Sequence, residues 1–346
     1  MNYVNYSVSH QKHVVTFSPK EIHARVLMVP FATDVKLIEK VLDLGENQHH
    51  AWGVKELLAE NIEVSVVRRY SSPWERFGQD WILPDTREYD LIYSNHNRLI
   101  RTPIESVMGV RKTPLVSLVY AGEPLFIPKR HFGVLCMTPY AFSRFKGLTS
   151  VHVHYAPWGI DPESRLHQPI QPSGDHYIST GVTVRDFGTL LRAASLTDEP
   201  IVIAARGQNS FNAPPNVRVI DGVLSPWSIR DLYKGACAGL VILQRDESKR
   251  LAVGWTNMLE LMSVGLPIIK TRTGSLDDIV NLEEIGAGIL VEPENPEALV
   301  AAMIRLREDS ELRLSMGRAG AEYVRSHLTM QQFSEPLIQL VMSARK

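Results

Sequence analysis

Cysteine is scarce in this chain of 346 residues: there are two, Cys136 and Cys237, with no CxxC pair and no Cys/His spacing suited to zinc. Neither a disulfide framework nor a structural metal is indicated. Each thiol sits among apolar neighbours (Val134-Leu135-Cys136-Met137 and Gly235-Ala236-Cys237-Ala238) and reads as a small core hydrophobe. Charge of one sign is missing as well. Lys plus Arg number 37 against 38 Asp plus Glu, whereas a dedicated nucleic-acid binder would carry a basic excess. No apolar run reaches membrane-spanning length, and the opening MNYVNYSVSHQKH has no apolar stretch like that of a signal peptide. The expectation is a cytoplasmic, soluble protein with no nucleic-acid partner.

Several catalytic signatures are absent too. There is no GxxxxGK phosphate loop, no GxGxxG opening a helix after a strand, no GxSxG and no HExxH. The Asp-x-Asp pair that chelates a divalent ion in many sugar-nucleotide enzymes is also lacking. No cofactor is expected, and no metal. His152 and His154 alternate along an expected strand and share a face, but no third ligand accompanies them, and they read as two polar residues on an exposed strand face rather than as a metal pair.

What is present is a chain with 44% hydrophobic residues, long enough for two domains at roughly 100–200 residues each. After a polar leader of about 23 residues, short β-branched or Leu-rich runs at 25–29, 62–67, 90–93, 115–119, 133–137 and 151–155 read as strands. Between the first two lies a helical pattern, 52–60. A stretch containing Pro157, Pro162, Pro169 and Pro172 reads as a linker at 161–175. The alternation then restarts, with strands at 177–180, 201–205, 217–220, 240–243, 267–271 and 288–291. Helices fit 187–194, 228–234, 257–264, 296–308 and 310–327. This is the βαβ rhythm twice over. It predicts an α/β protein of two Rossmann-like, doubly wound domains, 1–160 and 176–330, facing a cleft.

The densest chemistry lies in Gly254-Trp255-Thr256-Asn257-Met258-Leu259-Glu260, followed by Gly265-Leu266-Pro267. A helix opening behind a glycine turn offers free N–H groups and the positive end of its dipole to an anion such as phosphate. Glu260, expected in the first turn, can accept hydrogen bonds from a ribose diol. The same spacing also fits a capping box in which Glu260 bonds only the Asn257 backbone.

Leu259-Glu260-x-Met262-x-x-Gly265-x-Pro267-Ile268-Ile269 resembles the donor-site motif of family 4 glycosyltransferases, retaining enzymes with the two-domain GT-B fold. Thr273-Gly274-Ser275-Leu276-Asp277-Asp278 resembles that family's Gly-Gly-x-x-Glu loop, and Gly286-x-Gly288-Ile289-Leu290-Val291-x-Pro293 the segment after it. Gly181-x-x-x-Arg185-Asp186-Phe187 is similar to the turn that brings a cation to the diphosphate, and Ala156-Pro157-Trp158-Gly159-Ile160-Asp161 to the lead into the second domain. The resemblance spans about residues 155–330.

It implies a metal-independent hexosyltransferase moving sugar from a UDP- or GDP-sugar to a hydroxyl of a glycan, a lipid-linked glycan or a small molecule. Glu260 would hold the ribose; Gly254, Gly274, Ser275 and the N–H groups of Thr256 and Asn257 would line the nucleotide and diphosphate. Arg185 would be the catalytic counter-charge, unless it merely pairs with Asp186. A final helix at 331–344 would cross back onto the first domain.

One departure stands out: the family's second Glu, eight residues before the ribose-binding one, is Ala252 here, with Asp246 and Glu247 as substitutes in the preceding loop. In the first half the resemblance is looser. Gln48-His49-His50-Ala51-Trp52-Gly53 is similar to the start of the family's first long helix, and Asp90–His96 to a strand ending in a cleft-facing His. That makes His96 a catalytic candidate, with Asn97 and Glu123 on the acceptor side. Basic residues Arg111, Lys112, Lys129, Arg130, Arg144 and Lys146 leave open a weak peripheral membrane contact, or simply a solvated surface. The rival readings are a sugar-nucleotide 2-epimerase and a catalytically degenerate sugar-nucleotide-binding protein.

Overall fold

A computed structural model describes residues 6–11, 14–30, 35–43, 49–67, 85–95, 113–120, 131–172, 174–207, 212–222, 224–245 and 252–345. The chain divides into two units, Met1–Asp161 with Met330–Lys346, and Pro162–Thr329.

The first unit is built on an eight-stranded sheet of β1 (Tyr6–His10), β2 (Val14–Pro19), β3 (Ala24–Val29), β4 (Ile62–Val67), β5 (Leu91–Ser94), β6 (Leu115–Val119), β7 (Gly133–Cys136) and β8 (His152–Tyr155). Its order is β1-β2-β4-β3-β5-β6-β7-β8. From β4 to β8 the pairing is parallel, while β1 and β2 run antiparallel. Strands such as β3 and β5 read as continuous apolar runs because parallel strands are covered on both faces. The segment expected as a polar leader is instead this antiparallel pair. Val14, Val15 and Phe17 are buried, and β2 is registered on β4 through Thr16 opposite Ser65. A partner some fifty positions away leaves no local mark, so the alternation passed for a polar tail.

Helices α1 (Val35–Asp43), α2 (Val54–Ala59) and α3 (Pro139–Phe145) belong to this unit, as does α10 (Met330–Ala344). α10 buries Phe333, Leu337, Leu340 and Val341 and packs on α2, β3 and β7. The stretch likened to a first long helix is broken. A single 3-10 turn, His49–Ala51, is followed by Trp52 and Gly53 at positive φ (56° and 84°), and α2 has only six residues.

The second unit carries β9 (His176–Thr180), β10 (Ile201–Ala204), β11 (Val217–Ile220), β12 (Ala236–Val241), β13 (Ile268–Thr271) and β14 (Gly288–Val291), all parallel, in the order β11-β10-β9-β12-β13-β14. Counted within the unit, that is the 3-2-1-4-5-6 order of a dinucleotide-binding sheet, whose direction of winding reverses between β9 and β12. Its helices are α4 (Phe187–Ala194), α5 (Pro226–Tyr233), α6 (Trp255–Ser263), α7 (Gly274–Asp277), α8 (Pro296–Glu308) and α9 (Ser310–His327). Side chains of Asp186, Ser225, Asn295 and Asp309 cap α4, α5, α8 and α9. The core joins Tyr177, Leu190, Ile203, Cys237, Leu240, Ile269, Leu299 and Met303. α6 and α9 approach closely enough that a Cβ on Gly317 would overlap the Gly265 carbonyl oxygen.

The Pro-rich stretch lies in this unit from Pro162 on, with a 3-10 turn at Arg165–His167. Arg230 and Arg325 donate to its carbonyls. Among the described residues, no helix is long and apolar enough to cross a membrane, and no cluster of three metal-binding side chains occurs.

Candidate nucleotide site

In open α/β sheets ligands bind beyond the carboxyl ends of the strands, where the winding reverses. In the second unit that point is flanked by the loop after β9 and the loop between β12 and α6.

After Thr180 the chain turns through Gly181 (φ 82°) and Val184 (φ 54°), a conformation costly for a β-branched residue. The turn is stitched to the chain beyond β12: the Asp186 amide donates to the Ile242 carbonyl at 2.9 Å, and the Gln244 amide to the Val184 carbonyl at 3.1 Å. Asp186 is occupied as the cap of α4, accepting from the Thr189 amide and hydroxyl at 2.9 and 2.6 Å, so it is no ion-pair partner for Arg185.

Arg185 folds back beneath the turn and is 5% exposed. Its Nε donates to the Thr180 carbonyl at 3.2 Å, its Nη1 to the Thr183 carbonyl at 3.0 Å, and its Nη2 to Asn257 Oδ1. A guanidinium has five N–H donors, so donors remain for a ligand. Among the described residues no carboxylate pairs with Arg185, and burial brings its pKa down to about 10, leaving it cationic at neutral pH.

α6 begins at Gly254, whose φ of 87° places it in the left-handed region, and no side chain caps the helix. The amide of Trp255 donates to Ala252 and that of Met258 to Gly254, while those of Thr256 and Asn257 occupy the uncapped first turn. A side chain at position 254 would crowd Val241 and lie 3.6 Å from Arg185 Nη1, so glycine keeps the helix end beside the guanidinium. Asn257 is therefore the third helical residue rather than the cap, and Glu260 lies in the second turn rather than the first. That removes the capping box.

Instead Glu260 Oε2 accepts from the Tyr233 hydroxyl at 3.1 Å. Burial pushes its carboxyl up from 4.5 to about 7, against the lowering effect of that hydrogen bond. Tyr233 lies 3.5 Å from Thr180 Oγ1, which accepts from Asn257 Nδ2 at 2.5 Å. A polar chain thus runs from Glu260 through Tyr233, Thr180 and Asn257 to Arg185.

Gly274 and Ser275 open α7 beside Gly254, since Leu276 would lie 3.4 Å from a Cβ at 254. That turn is anchored from below by Lys270, whose side chain is 0% exposed. Lys270 Nζ donates to the Thr271 carbonyl, to Thr273 Oγ1 and to Asp277 Oδ1 at 2.7, 3.3 and 2.7 Å. Asp277 Oδ2 in turn accepts from the Thr273 amide at 3.1 Å.

The structure therefore brings Arg185, Gly254, Thr256, Asn257, Glu260 and Gly274 to one end of one sheet. His96, Asn97, Glu123, Asp246 and Glu247 lie outside the described residues. Tyr233 and Thr180 escaped the sequence reading, because their partners lie 27 and 77 positions away. His152 and His154 lie on the edge strand β8, where His152 packs on Phe132 at 4.9 Å between ring centroids.

Residues 229–323 match the family Glycosyl transferases group 1. A sulfoquinovosyl transferase, SQD2, of Arabidopsis thaliana is 32% identical over 93 residues, covering 27% of this chain and 18% of that protein's length. Over nearly the whole chain the fold is similar to many solved structures, of which three follow. One is sucrose-phosphate synthase from Thermosynechococcus elongatus (TM-score 0.62, 13% identity, 92% of this chain and 98% of that one). Another is a glycosyltransferase from Rickettsia africae (0.63, 12%, 94% and 99%). The third is Anabaena HepE in complex with UDP and glucose (0.64, 13%, 93% and 100%). The fold is GT-B, with two Rossmann-like domains.

Proposed function

We propose that this chain, which carries a group 1 glycosyltransferase segment on a GT-B fold, is a retaining, metal-independent hexosyltransferase of family 4 type. Its donor is a UDP- or GDP-sugar and its acceptor a hydroxyl of a glycan, a lipid-linked glycan or a small molecule. The observation that carries this reading is the buried Arg185 guanidinium, without a carboxylate partner among the described residues, beside an uncapped helix N-terminus at the winding reversal. A buried cation without a counter-ion is costly, and an anionic ligand restores the balance.

Breaking a glycosidic bond to a nucleoside diphosphate leaves growing negative charge on the leaving phosphates. Fixed donors aimed there stabilise the transition state more than the ground state. Arg185 supplies a permanent charge, the Thr256 and Asn257 amides and the α6 dipole add to it, and the Gly274-Ser275 turn closes the far side. The chain has no Asp-x-Asp, so these groups would do the work a divalent ion does elsewhere. Glu260, as carboxylate, accepts from the ribose hydroxyls. The first unit takes the acceptor, with His96, Asn97 and Glu123 as its candidate contacts. HepE was crystallised with UDP-glucose, which favours UDP as the first donor to test.

Ala252, in place of the family's second acid, favours one second reading: a protein that binds a sugar nucleotide without turning it over. Thermal stabilisation by UDP, GDP, ADP and TDP, with Arg185→Met alongside, tests the site. Binding at a hundredfold excess over Kd adds about 2.7 kcal/mol. A shift with one nucleotide, lost in the variant, is expected; no shift with any of them refutes the proposal. Slow hydrolysis of the bound donor without acceptor would then decide against the binding-only reading.

A further inference from the structure

The Tyr233 hydroxyl is buried at the end of α5 and touches two groups that the proposed site uses for different parts of its ligand. It donates to Glu260 Oε2 at 3.1 Å and lies 3.5 Å from Thr180 Oγ1. Thr180 accepts from Asn257, and Asn257 accepts from Arg185. Glu260 Oε1 has no protein donor among the described residues. Among the described residues, the titratable groups that face Tyr233 are Glu260 from α6 and Arg185 from the β9–α4 turn, and the one that faces Glu260 is Tyr233.

We propose that Tyr233 is the positioning residue of this site: its hydroxyl pins one oxygen of Glu260, leaves the other for the vicinal diol of a nucleoside, and joins that carboxylate through Thr180 and Asn257 to the guanidinium that takes the diphosphate. The inference rests on the donor-site reading above. It makes the two ends of a nucleoside diphosphate ligand interdependent, and it ties affinity to the ionisation of Glu260. Because the phenol bonds the charged form of the carboxyl, it holds the carboxyl's titration lower than burial alone would. Affinity for a diol then rises with pH as Glu260 gives up its proton.

The experiment follows Glu260 in the ligand-free chain by carboxyl ¹³C NMR, and UDP binding by calorimetry from pH 5.5 to 8.5. Wild type, Tyr233→Phe and Glu260→Gln are compared. In wild type both midpoints are expected near 7. In Tyr233→Phe both are expected to move up by about one pH unit, the worth of one hydrogen bond to a carboxylate. Glu260→Gln should lose the part of the pH dependence that belongs to the carboxyl and keep only that of the terminal phosphate of UDP, whose second ionisation lies at about pH 6. Should Tyr233→Phe fail to fold, 3-fluorotyrosine at 233, a stronger donor of nearly the same size, is expected to move the midpoint down.

A Glu260 midpoint that is the same in every folded variant overturns the proposal, even where UDP still binds. A midpoint that moves in a chain that ignores UDP upholds the contact between Tyr233 and Glu260 and overturns the donor-site reading with which the proposal began.

Discussion

Replacing Glu260 by Gln should make the ligand-free protein more stable while weakening its hold on a ribose diol. The carboxyl holds its proton more tightly in the folded chain, near pH 7, than in the unfolded chain, near 4.5. Below the unfolded value both states are protonated and the group costs nothing. As pH climbs from 4.5 to 7 the unfolded state ionises first and folding loses ground. Above about 7 the full difference, about 3 kcal/mol at 1.36 kcal/mol per pH unit, weighs against the folded state. Gln keeps the shape and still accepts from Tyr233, but carries no charge to desolvate.

Urea unfolding of the second unit's transition, wild type against Glu260→Gln, measures this. The variant's advantage should be about 1 kcal/mol at pH 5 and about 3 kcal/mol at pH 8. UDP should then raise the stability of wild type more than that of the variant. A difference that is the same at both pH values, or a variant less stable at pH 8, would show that Glu260 is not held at a desolvation cost, and the argument would fail at its first step.

Two further outcomes follow from packing. Asp277→Asn leaves the Lys270 ammonium buried without its counter-charge and should cost roughly 3 kcal/mol, visible as a fall in the urea midpoint; a loss below 1 kcal/mol would mean that the backbone acceptors alone suffice. Gly317→Ala pushes a methyl into the Gly265 carbonyl and should cost about 2 kcal/mol, read as a lowered Tm, whereas an unchanged Tm would mean that α9 shifts freely.

Local rules carried the sequence reading furthest where a residue's role is set by its neighbours. The helices at Phe187–Ala194, Pro296–Glu308 and Ser310–His327 end where the pattern placed them, because Asp186, Asn295 and Asp309 cap their starts. Buried parallel strands such as Gly133–Cys136 and Ile201–Ala204 stand out as unbroken apolar runs. β12 begins four residues before the expected strand at 240–243, because its first half, Ala236-Cys237-Ala238-Gly239, is made of small residues without β-branching.

At the site, Gly254 and the helix it opens were legible from the turn chemistry. Asn257 was legible only as a polar residue near a helix start. Its bond to Arg185 spans 72 positions and arises from the winding of the sheet, as does the Tyr233 contact to Glu260. Nothing in the spacing of those residues encodes such pairs.

The return of α10 to the first unit makes the second unit an insertion. Leu340 lies over Gly133, and Ser334 over Gly53, in a layer the chain supplies only after residue 329. The second unit is one contiguous stretch and can therefore close by itself, while the first waits with α2, β3 and β7 bare until α10 arrives. A chaperone that shields apolar surface would find its client in the first unit, and a released chain cut after residue 329 would strand that unit, not the other.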